Sequence, residues 1–185
     1  MDATLVERAQ RGDPTAFTAL AAGLVGRLER TARLILRDEE QAADAVQDAL
    51  VSAWLDIRAL RDPSRFEAWL GRVLVRCCYR VAGRERRRSA MEIRWTDPEL
   101  AGGVDPHGHV IDRDVIARAF DRLTIEQRAV LVTHHYLGLR DTEAAEVLGL
   151  ALGTYKSRLN RATTAMRASL DADERASLQV RRASV

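Results

Sequence analysis

The chain has 185 residues, of which 46% are hydrophobic, 30% charged and 5% aromatic, and its formal net charge is +2. This length fits one domain or two small ones, and the composition is typical of a helical protein with a real core. No apolar run is long enough to cross a bilayer and no signal peptide is recognisable, so a cytoplasmic protein is expected. Cys77 and Cys78 are adjacent, which excludes a CxxC metal site and makes a disulfide strained, so we interpret them as small buried residues.

The charges are distributed unevenly along the chain. Residues 61–90 contain nine basic and three acidic side chains, and residues 151–170 contain four basic and none acidic. The segments before and between these blocks are acidic on balance. Two basic blocks in an acidic background predict a long polyanion, such as a nucleic acid, as a partner that touches both.

A first helical unit is predicted over residues 1–88. Asp13 is a good N-cap because Pro14 follows it, and apolar residues at helical spacing then continue toward Leu36. Asp38 begins the next helix, the Asp-Pro signal in residues 60–65 predicts a loop, and a further helix is expected from about 65 to 84.

Residues 89–112 contain half of the prolines and no sustained periodicity, and they are predicted to be a flexible linker between two loosely tethered units. A second helical unit is predicted over residues 113–171, where Thr124 and Gln127 form a capping box. Residues 172–185 are interpreted as a frayed or disordered tail because they have little apolar content. No strand-like alternation is present, so the fold class is all-α: two small helical domains.

The most informative pattern lies at residues 148–166 and is typical of a helix-turn-helix. Gly149 ends one helix, and a final helix is predicted from about 153 to 170. At 100° per residue, one side of this helix is apolar and faces the core, while the other side carries groups that reach phosphates and base edges in a major groove. The core side holds Tyr155, Leu159, Ala162 and Met166, and the polar side holds Lys156, Ser157, Asn160, Arg161 and Thr164.

Two further surfaces are predicted in the first unit. The helix that begins at Asp38 has one apolar face, and its opposite face carries two acids, a glutamine and aliphatic side chains, which suits a basic helical partner or is simply solvated. In the following helix Arg65, Arg72 and Arg76 share a narrow sector that can hold the phosphates of a nucleic-acid strand, or is a solvated basic face. Trp69 either stacks on a base or packs between helices.

Three segments resemble one known family, in family order and at family spacing. Residues 149–162 (GLALGTYKSRLNRA) look like region 4.2 of an extracytoplasmic-function (ECF) sigma factor of the sigma-70 family. Residues 44–48 (DAVQD) look like region 2.2, and residues 66–70 (FEAWL) look like the start of the helix between regions 2.3 and 2.4. The resemblance implies a subunit that binds core RNA polymerase, recognises two promoter elements and helps to open the duplex.

The resemblance also implies a role for each surface. Sigma region 2 would cover residues 1–88 and sigma region 4 residues 113–171; possible partners are core polymerase, promoter DNA and an anti-sigma factor. No cofactor, metal or catalytic residue is implied. The implied site residues are Asp44, Gln47, Asp48, Val51 and Trp54 for core polymerase, Arg61, Ser64, Arg65, Trp69, Arg72 and Arg76 for the −10 element, and Thr154, Lys156, Ser157, Arg158, Asn160 and Arg161 for the −35 element.

Two alternatives remain at this point. A helix-turn-helix regulator would act without core polymerase, and its first unit would bind a ligand or dimerise. An enzyme acting on nucleic acid is disfavoured, because the sequence has no carboxylate cluster, nucleophile–histidine pair or glycine-rich phosphate loop. The pairs His107/His109 and His134/His135 are interpreted as solvated or core-edge residues, since a metal site needs further converging ligands.

Overall fold

The computed structural model describes residues 3–92 and 111–183, and the side chains at 3–84 and 115–175. Within these ranges the regular elements are helical, in agreement with the predicted all-α class. We call residues 3–92 the N-terminal lobe and residues 111–183 the C-terminal lobe. The N-terminal lobe contains α1 (Ala3–Gln10), α2 (Pro14–Leu36), α3 (Glu39–Asp56) and α4 (Phe66–Glu92), and the C-terminal lobe contains α5 (Ile111–Asp121), α6 (Ile125–Leu131), α7 (Asp141–Val147) and α8 (Leu152–Ala183).

Aspartate caps fix the starts of α2 and α3, as predicted. The Asp13 carboxylate accepts hydrogen bonds from the backbone N–H of Thr15 at 3.0 Å and of Ala16 at 3.2 Å. Asp38 caps α3 by accepting from the Gln41 N–H at 2.8 Å. Each cap satisfies backbone donors that have no partner within the first helical turn.

The predicted loop at 60–65 is more ordered than expected, because it contains a short 3-10 turn, Pro63–Arg65. Asp62 caps this turn by accepting from the Ser64 N–H and hydroxyl. Helix α4 then begins with the fully buried Phe66 and packs on α2 and α3. Cys77 and Cys78 are free and buried in this core, as predicted, and burial raises the pKa of Cys78 to about 12.

The C-terminal lobe begins its second helix with the predicted capping box. Gln127 accepts from the Thr124 N–H at 2.9 Å, and the Thr124 hydroxyl accepts from the Gln127 N–H at 3.3 Å. Helix α6 continues into a π-helical turn, Val132–Tyr136, that the sequence did not predict. Gly138, with a φ of +63°, then reverses the chain toward α7.

Two predicted boundaries are wrong, both because helices run further than expected. Helix α4 extends to Glu92, and α5 begins at Ile111, so only residues 93–110 of the predicted linker lie outside the described residues. The expectation of a frayed tail is wrong as far as Ala183, because α8 continues to that residue. Asp173 anchors the extension: it is only 7% exposed and lies 2.6 Å from the Arg122 guanidinium and 3.6 Å from that of Arg118.

The two lobes pack against each other, which the prediction of loosely tethered units did not include. The Arg128 guanidinium, on α6, donates to the carbonyl of Ile35 on α2 at 2.7 Å and to that of Leu123 at 2.6 Å. Arg37 and Asp121 form an ion pair beside this contact. In addition, the buried apolar residues of the two lobes form one continuous cluster.

Candidate nucleic-acid and partner interfaces

The two faces of α8 lie as the periodicity predicts. Tyr155 and Ala162 are fully buried, and Leu159 and Met166 are partly buried against the same core. Burial raises the pKa of the Tyr155 phenol, so the ring is a neutral part of the packing. On the opposite face Arg158 is half-buried, and the exposed residues are Thr154, Lys156, Ser157, Asn160, Arg161 and Thr164.

The turn before α8 positions this face. Gly149 adopts a φ of +65°, and the Leu150 N–H donates to the Ala145 carbonyl at 2.9 Å, which closes the end of α7. Ala151 has no side-chain oxygen to cap α8, and its carbonyl accepts from the Tyr155 N–H at 2.9 Å. The buried Tyr155 ring therefore anchors the first turn of a helix that lacks a capping side chain.

A cleft between α6 and α8 joins the exposed basic residues to the capping box of α6. It has a volume of about 310 Å³ and is lined by Thr124, Glu126, Gln127, Arg158 and Arg161. The sequence analysis treated Thr124 and Gln127 only as a cap. Only the packing of α6 beside α8 brings these two residues next to the basic face. The hydrophobic periodicity of the sequence carries no information about that packing.

The exposed face of α3 combines acidic and apolar groups. Asp44 and Gln47 are exposed and Asp48 is half-exposed, with its carboxylate 4.0 Å from the Arg84 guanidinium. Val51 is 55% exposed and Leu55 is 70% exposed, and four positions apart on one helix they lie side by side. We call Asp44, Gln47, Asp48, Val51 and Leu55 the α3 patch.

Trp54 differs from the rest of the predicted core-polymerase residues. Its indole is half-buried, and its ring centroid lies 5.2 Å from that of Phe17 on α2. Trp54 therefore braces α3 against α2 from the edge of the α3 patch, and only part of its surface is open to a partner.

Four of the six residues predicted for the −10 element are exposed, three of them just before α4 and one along it: Arg61, Ser64, Arg65 and Arg76. Asp62 holds the Ser64 region in place, and its hydrogen bonds from Ser64 lower the pKa of that carboxyl. The capped turn thus presents Arg61 and Arg65 from a fixed backbone.

The remaining two residues of this set, Trp69 and Arg72, are half-buried. The Trp69 ring lies 5.9 Å from that of Phe66, so packing occupies part of its surface. The Arg72 guanidinium lies 3.4 Å from the Glu143 carboxylate on α7 of the other lobe. Of the three arginines predicted to share one sector, Arg72 is thus held by a long-range partner in this conformation, whereas Arg65 and Arg76 are exposed.

The histidines do not form a ligand cluster in the described part of the chain. His134 Nδ1 lies 3.4 Å from the Asp141 carboxylate, and the His134 and His135 rings meet edge to face. No group of three or more potential metal ligands converges within residues 3–84 and 115–175. His107 and His109 lie outside the described residues. None of the described helices combines the length and the apolarity that a bilayer-spanning segment requires.

The chain matches two family models, one on each lobe. Residues 20–88 match sigma-70 region 2, and residues 113–166 match sigma-70 region 4. Two packed helical lobes, one with an acidic–apolar patch and one with an exposed helix-turn-helix, thus define a sigma-70 type transcription initiation factor.

Comparison with similar proteins narrows the class to one family within the sigma-70 type. The chain is 34% identical to the ECF RNA polymerase sigma factor SigM of Mycobacterium tuberculosis over 161 residues, covering 87% of this chain and 80% of that protein. It is 35% identical to the sigma factor CnrH of Cupriavidus metallidurans over 184 residues, covering 93% and 95%. A structure of RpoE with the anti-sigma factor NepR from Bartonella quintana superposes with a TM-score of 0.63 at 25% identity, covering 85% of this chain and 98% of that one. The chain belongs to the ECF family of RNA polymerase sigma factors.

Proposed function

We propose that the two lobes divide the work of promoter recognition between them. The N-terminal lobe docks on core RNA polymerase through the α3 patch and Trp54 and binds the −10 element along α4. The C-terminal lobe reads the −35 element with α8. The observation that carries this proposal is the exposed polar face of α8 above the buried Tyr155, because it leaves a rigid helix free to enter a major groove.

The α3 patch supports the docking role. Val51 and Leu55 supply apolar area that a partner would bury, and Asp44, Gln47 and Asp48 surround it with acceptors for basic side chains. A helical partner with basic and aliphatic residues is complementary to this surface.

The start of α4 supports the −10 role. Arg61, Arg65 and Arg76 are exposed and can hold the phosphates of a separated strand, and Ser64 stands beside them on a capped turn. The exposed part of Trp69 adjoins this surface, and Arg72 joins it once Glu143 is displaced.

The α8 face supports the −35 role through two kinds of contact. Lys156, Asn160 and Arg161 can hydrogen-bond base edges, and good bidentate contacts are each worth about 1–3 kcal/mol of discrimination. Thr154, Ser157 and Arg158 belong to the first two turns of α8, and in this proposal they bind phosphate oxygens, contacts that give affinity that falls with salt.

The protein performs no chemistry of its own in this proposal. Binding energy alone positions the polymerase and stabilises the opened promoter, so the protein is not an enzyme and needs no cofactor. Its place of action is the cytoplasm, where the polymerase and the DNA are.

An anti-sigma protein is a further partner in this proposal. A CnrH structure contains the cytosolic domain of CnrY, and the RpoE structure contains NepR. This chain has an apolar groove of about 360 Å³ that spans both lobes, with Leu34 on one side and Ile116, Phe120 and Met166 on the other. We expect an apolar helix of the regulator to occupy it, so Ile116→Glu should retain core binding and resist inhibition by that regulator.

The division of labour is tested with two variants and two readouts. Asp48→Arg should abolish association with purified core polymerase, whereas Lys156→Ala should leave association intact and weaken run-off transcription from promoters selected out of a randomised −35 library. Asp171→Arg and Arg175→Ala are matched controls on exposed positions of α8. If the Asp48 and Lys156 variants lose core binding equally, the proposal is wrong.

A further inference from the structure

Helix α1 lies ahead of the stretch that matches sigma-70 region 2, because that match begins at residue 20. The fully buried Val6 and Ala9 fix α1 within the N-terminal lobe, where it packs on α2. The Arg8 guanidinium lies 2.7 Å from the Asp13 carboxylate, which caps α2, so the turn between the two helices is held as well. The last residue of α1, Gln10, is therefore presented from a fixed backbone.

Gln10 reaches the chain between α3 and α4, residues 57–65, which we call the α3–α4 segment. Its side-chain NH2 group donates to the carbonyl of Ile57 at 3.1 Å and to that of Leu60 at 2.7 Å. Ile57 is 1% exposed and Leu60 is 8% exposed, so both acceptor residues are buried. An amide NH2 group carries two hydrogens, and both acceptors are carbonyl oxygens, so only this orientation of the Gln10 amide serves both of them.

The hydrogen bond to Leu60 bears on the residue that comes next. The Leu60 carbonyl and the Arg61 N–H belong to one planar peptide group, so holding the carbonyl oxygen fixes the direction in which the chain enters Arg61. On the other side of Arg61, the Asp62 carboxylate caps the turn Pro63–Arg65. The α3–α4 segment is therefore held at two points, by Gln10 before Arg61 and by Asp62 after it.

We propose that Gln10 is a positioning residue for the −10 element, which holds Arg61 in the direction needed to contact the DNA strand. This inference rests on the proposed function, because it assumes that Arg61 binds the −10 element. Gln10 is half-buried and its NH2 group is engaged by two carbonyls, so it acts through the backbone of the α3–α4 segment. A contact group that is held in place discriminates between sequences better than a mobile one, because less ordering is needed when the correct sequence binds.

A role in positioning differs from a role in folding in what it changes. Destabilising α1 would lower the fraction of active protein, and transcription from every promoter would then fall by the same factor. Loosening the α3–α4 segment would lower discrimination among −10 sequences, while discrimination among −35 sequences, which α8 provides, would be unchanged. The ratio of transcript yields from matched and mismatched promoters therefore separates the two cases.

The direct test is Gln10→Met, compared with Glu7→Met. Methionine has nearly the length of glutamine and a similar helix propensity, but it has no N–H to donate. Glu7 is exposed on the same helix, so the control introduces the same side chain away from the two carbonyls. Each holoenzyme transcribes a promoter that the wild-type holoenzyme selects from a library randomised in both elements. It also transcribes a panel in which each base of the two elements is changed singly.

Gln10→Met should reduce the preference for the matched −10 element by about tenfold, since two hydrogen bonds between neutral groups are together worth about that factor. The preference for the matched −35 element should be unchanged, and Glu7→Met should retain both preferences. Gln10→Asn keeps the amide but is shorter by one methylene group, so it should fall between wild type and Gln10→Met. An equal loss across all promoters, or an unchanged −10 preference in Gln10→Met, overturns the proposal.

Hydrogen exchange of the free protein reports on the α3–α4 segment without DNA or polymerase. Exchange of the backbone amides in this segment should be faster in Gln10→Met than in wild type, because local opening costs less free energy once the two hydrogen bonds are lost. Exchange in α8 should be unchanged, and Glu7→Met should exchange like wild type throughout. Equal exchange of the segment in wild type and Gln10→Met would show that Gln10 does not hold it, which overturns the proposal.

A double-mutant cycle tests the route through Arg61. Arg61→Ala removes the contact group, so adding Gln10→Met to it should cost little further −10 preference. Arg76 is exposed further along α4, so the effect of Arg76→Ala should add to that of Gln10→Met. Full additivity of the Gln10 and Arg61 substitutions would show that Gln10 does not act through Arg61, and the positioning role would be excluded.

The wild-type holoenzyme separates this inference from the proposed function. If wild-type protein binds core polymerase and prefers one −10 sequence, and Gln10→Met is equally selective, the positioning role alone is overturned. If wild-type protein does not bind core polymerase, or transcribes without any −10 preference, the proposed function is overturned whatever the Gln10 variants show.

Discussion

The Arg128 guanidinium donates a 2.7 Å hydrogen bond to the backbone carbonyl of Ile35, 93 positions earlier in the chain. The same guanidinium donates to the Leu123 carbonyl at 2.6 Å, and the side chain is only 9% exposed. The Arg128 side chain thus supplies hydrogen-bond donors to a backbone carbonyl at the end of α2 in one lobe and to a carbonyl in the turn before α6 in the other. Burial lowers the pKa of Arg128, yet the group stays charged at any physiological pH.

Arg128→Met should lower the free energy of unfolding by about 2–3 kcal/mol, because it leaves two buried carbonyl groups without a donor. The measurement is chemical denaturation followed by circular dichroism. Arg30→Met is the control, since Arg30 is exposed on α2. Equal midpoints for the two variants would show that the Arg128 hydrogen bonds contribute nothing to stability.

Tyr155→Ala should destabilise the C-terminal lobe by about 3–5 kcal/mol, because it leaves a cavity where a fully buried ring was. Binding of the −35 duplex by holoenzyme should fall with it, since the first turn of α8 loses its anchor. Tyr155→Phe keeps the ring and should retain most of the stability and binding. Thermal unfolding and a duplex-binding titration measure the two effects, and near-wild-type behaviour of the alanine variant would contradict this account.

Asp173→Ala should destabilise the C-terminal lobe by about 1–2 kcal/mol, because it removes the buried partner of Arg122. Asp171→Ala removes an exposed carboxylate two positions earlier and should have little effect. Thermal unfolding compares the two. Equal melting temperatures for the two variants would show that the contact that Asp173 makes in the extension of α8 past Leu170 contributes nothing to stability.

Stability should fall on acidification, and Asp13 should account for part of the fall. Hydrogen bonds from Thr15 and Arg8 hold the pKa of the Asp13 carboxyl well below its usual range. A carboxyl whose pKa is depressed in the folded state stabilises the protein above the unfolded pKa of about 4 and loses that contribution as the pH falls toward the folded value. Asp13→Asn should therefore lower the melting temperature at neutral pH and melt closer to wild type below about pH 3. If the melting temperatures of wild type and Asp13→Asn differed by the same amount at every pH between neutral and about 3, the stabilising role assigned to the Asp13 carboxylate would be contradicted.

The sequence was sufficient for features that depend on neighbouring residues. The caps at Asp13, Asp38 and Thr124, the left-handed Gly149 and the buried Tyr155 follow from local hydrogen bonding and from a 3.6-residue period. The surfaces on α3 and α8 follow from the same period, since each is the complement of an apolar face.

Long-range contacts could not be obtained in this way. Arg72 has the same local pattern as the exposed Arg65 and Arg76, and only the position of Glu143, 71 residues later, distinguishes it. The extension of α8 has little apolar content, and the ion pair of Asp173 with Arg122 joins positions 51 residues apart. In both cases the stabilising partner is supplied by the fold and has no signature in the local sequence.

The most direct test of the central claim is reconstitution of purified core RNA polymerase, free of any other sigma factor, with this protein and a library of promoter fragments. We predict a stable complex and run-off transcripts from a subset of promoters that share two sequence elements. Failure of the protein to associate with core polymerase, or transcription that is independent of promoter sequence, would contradict the account.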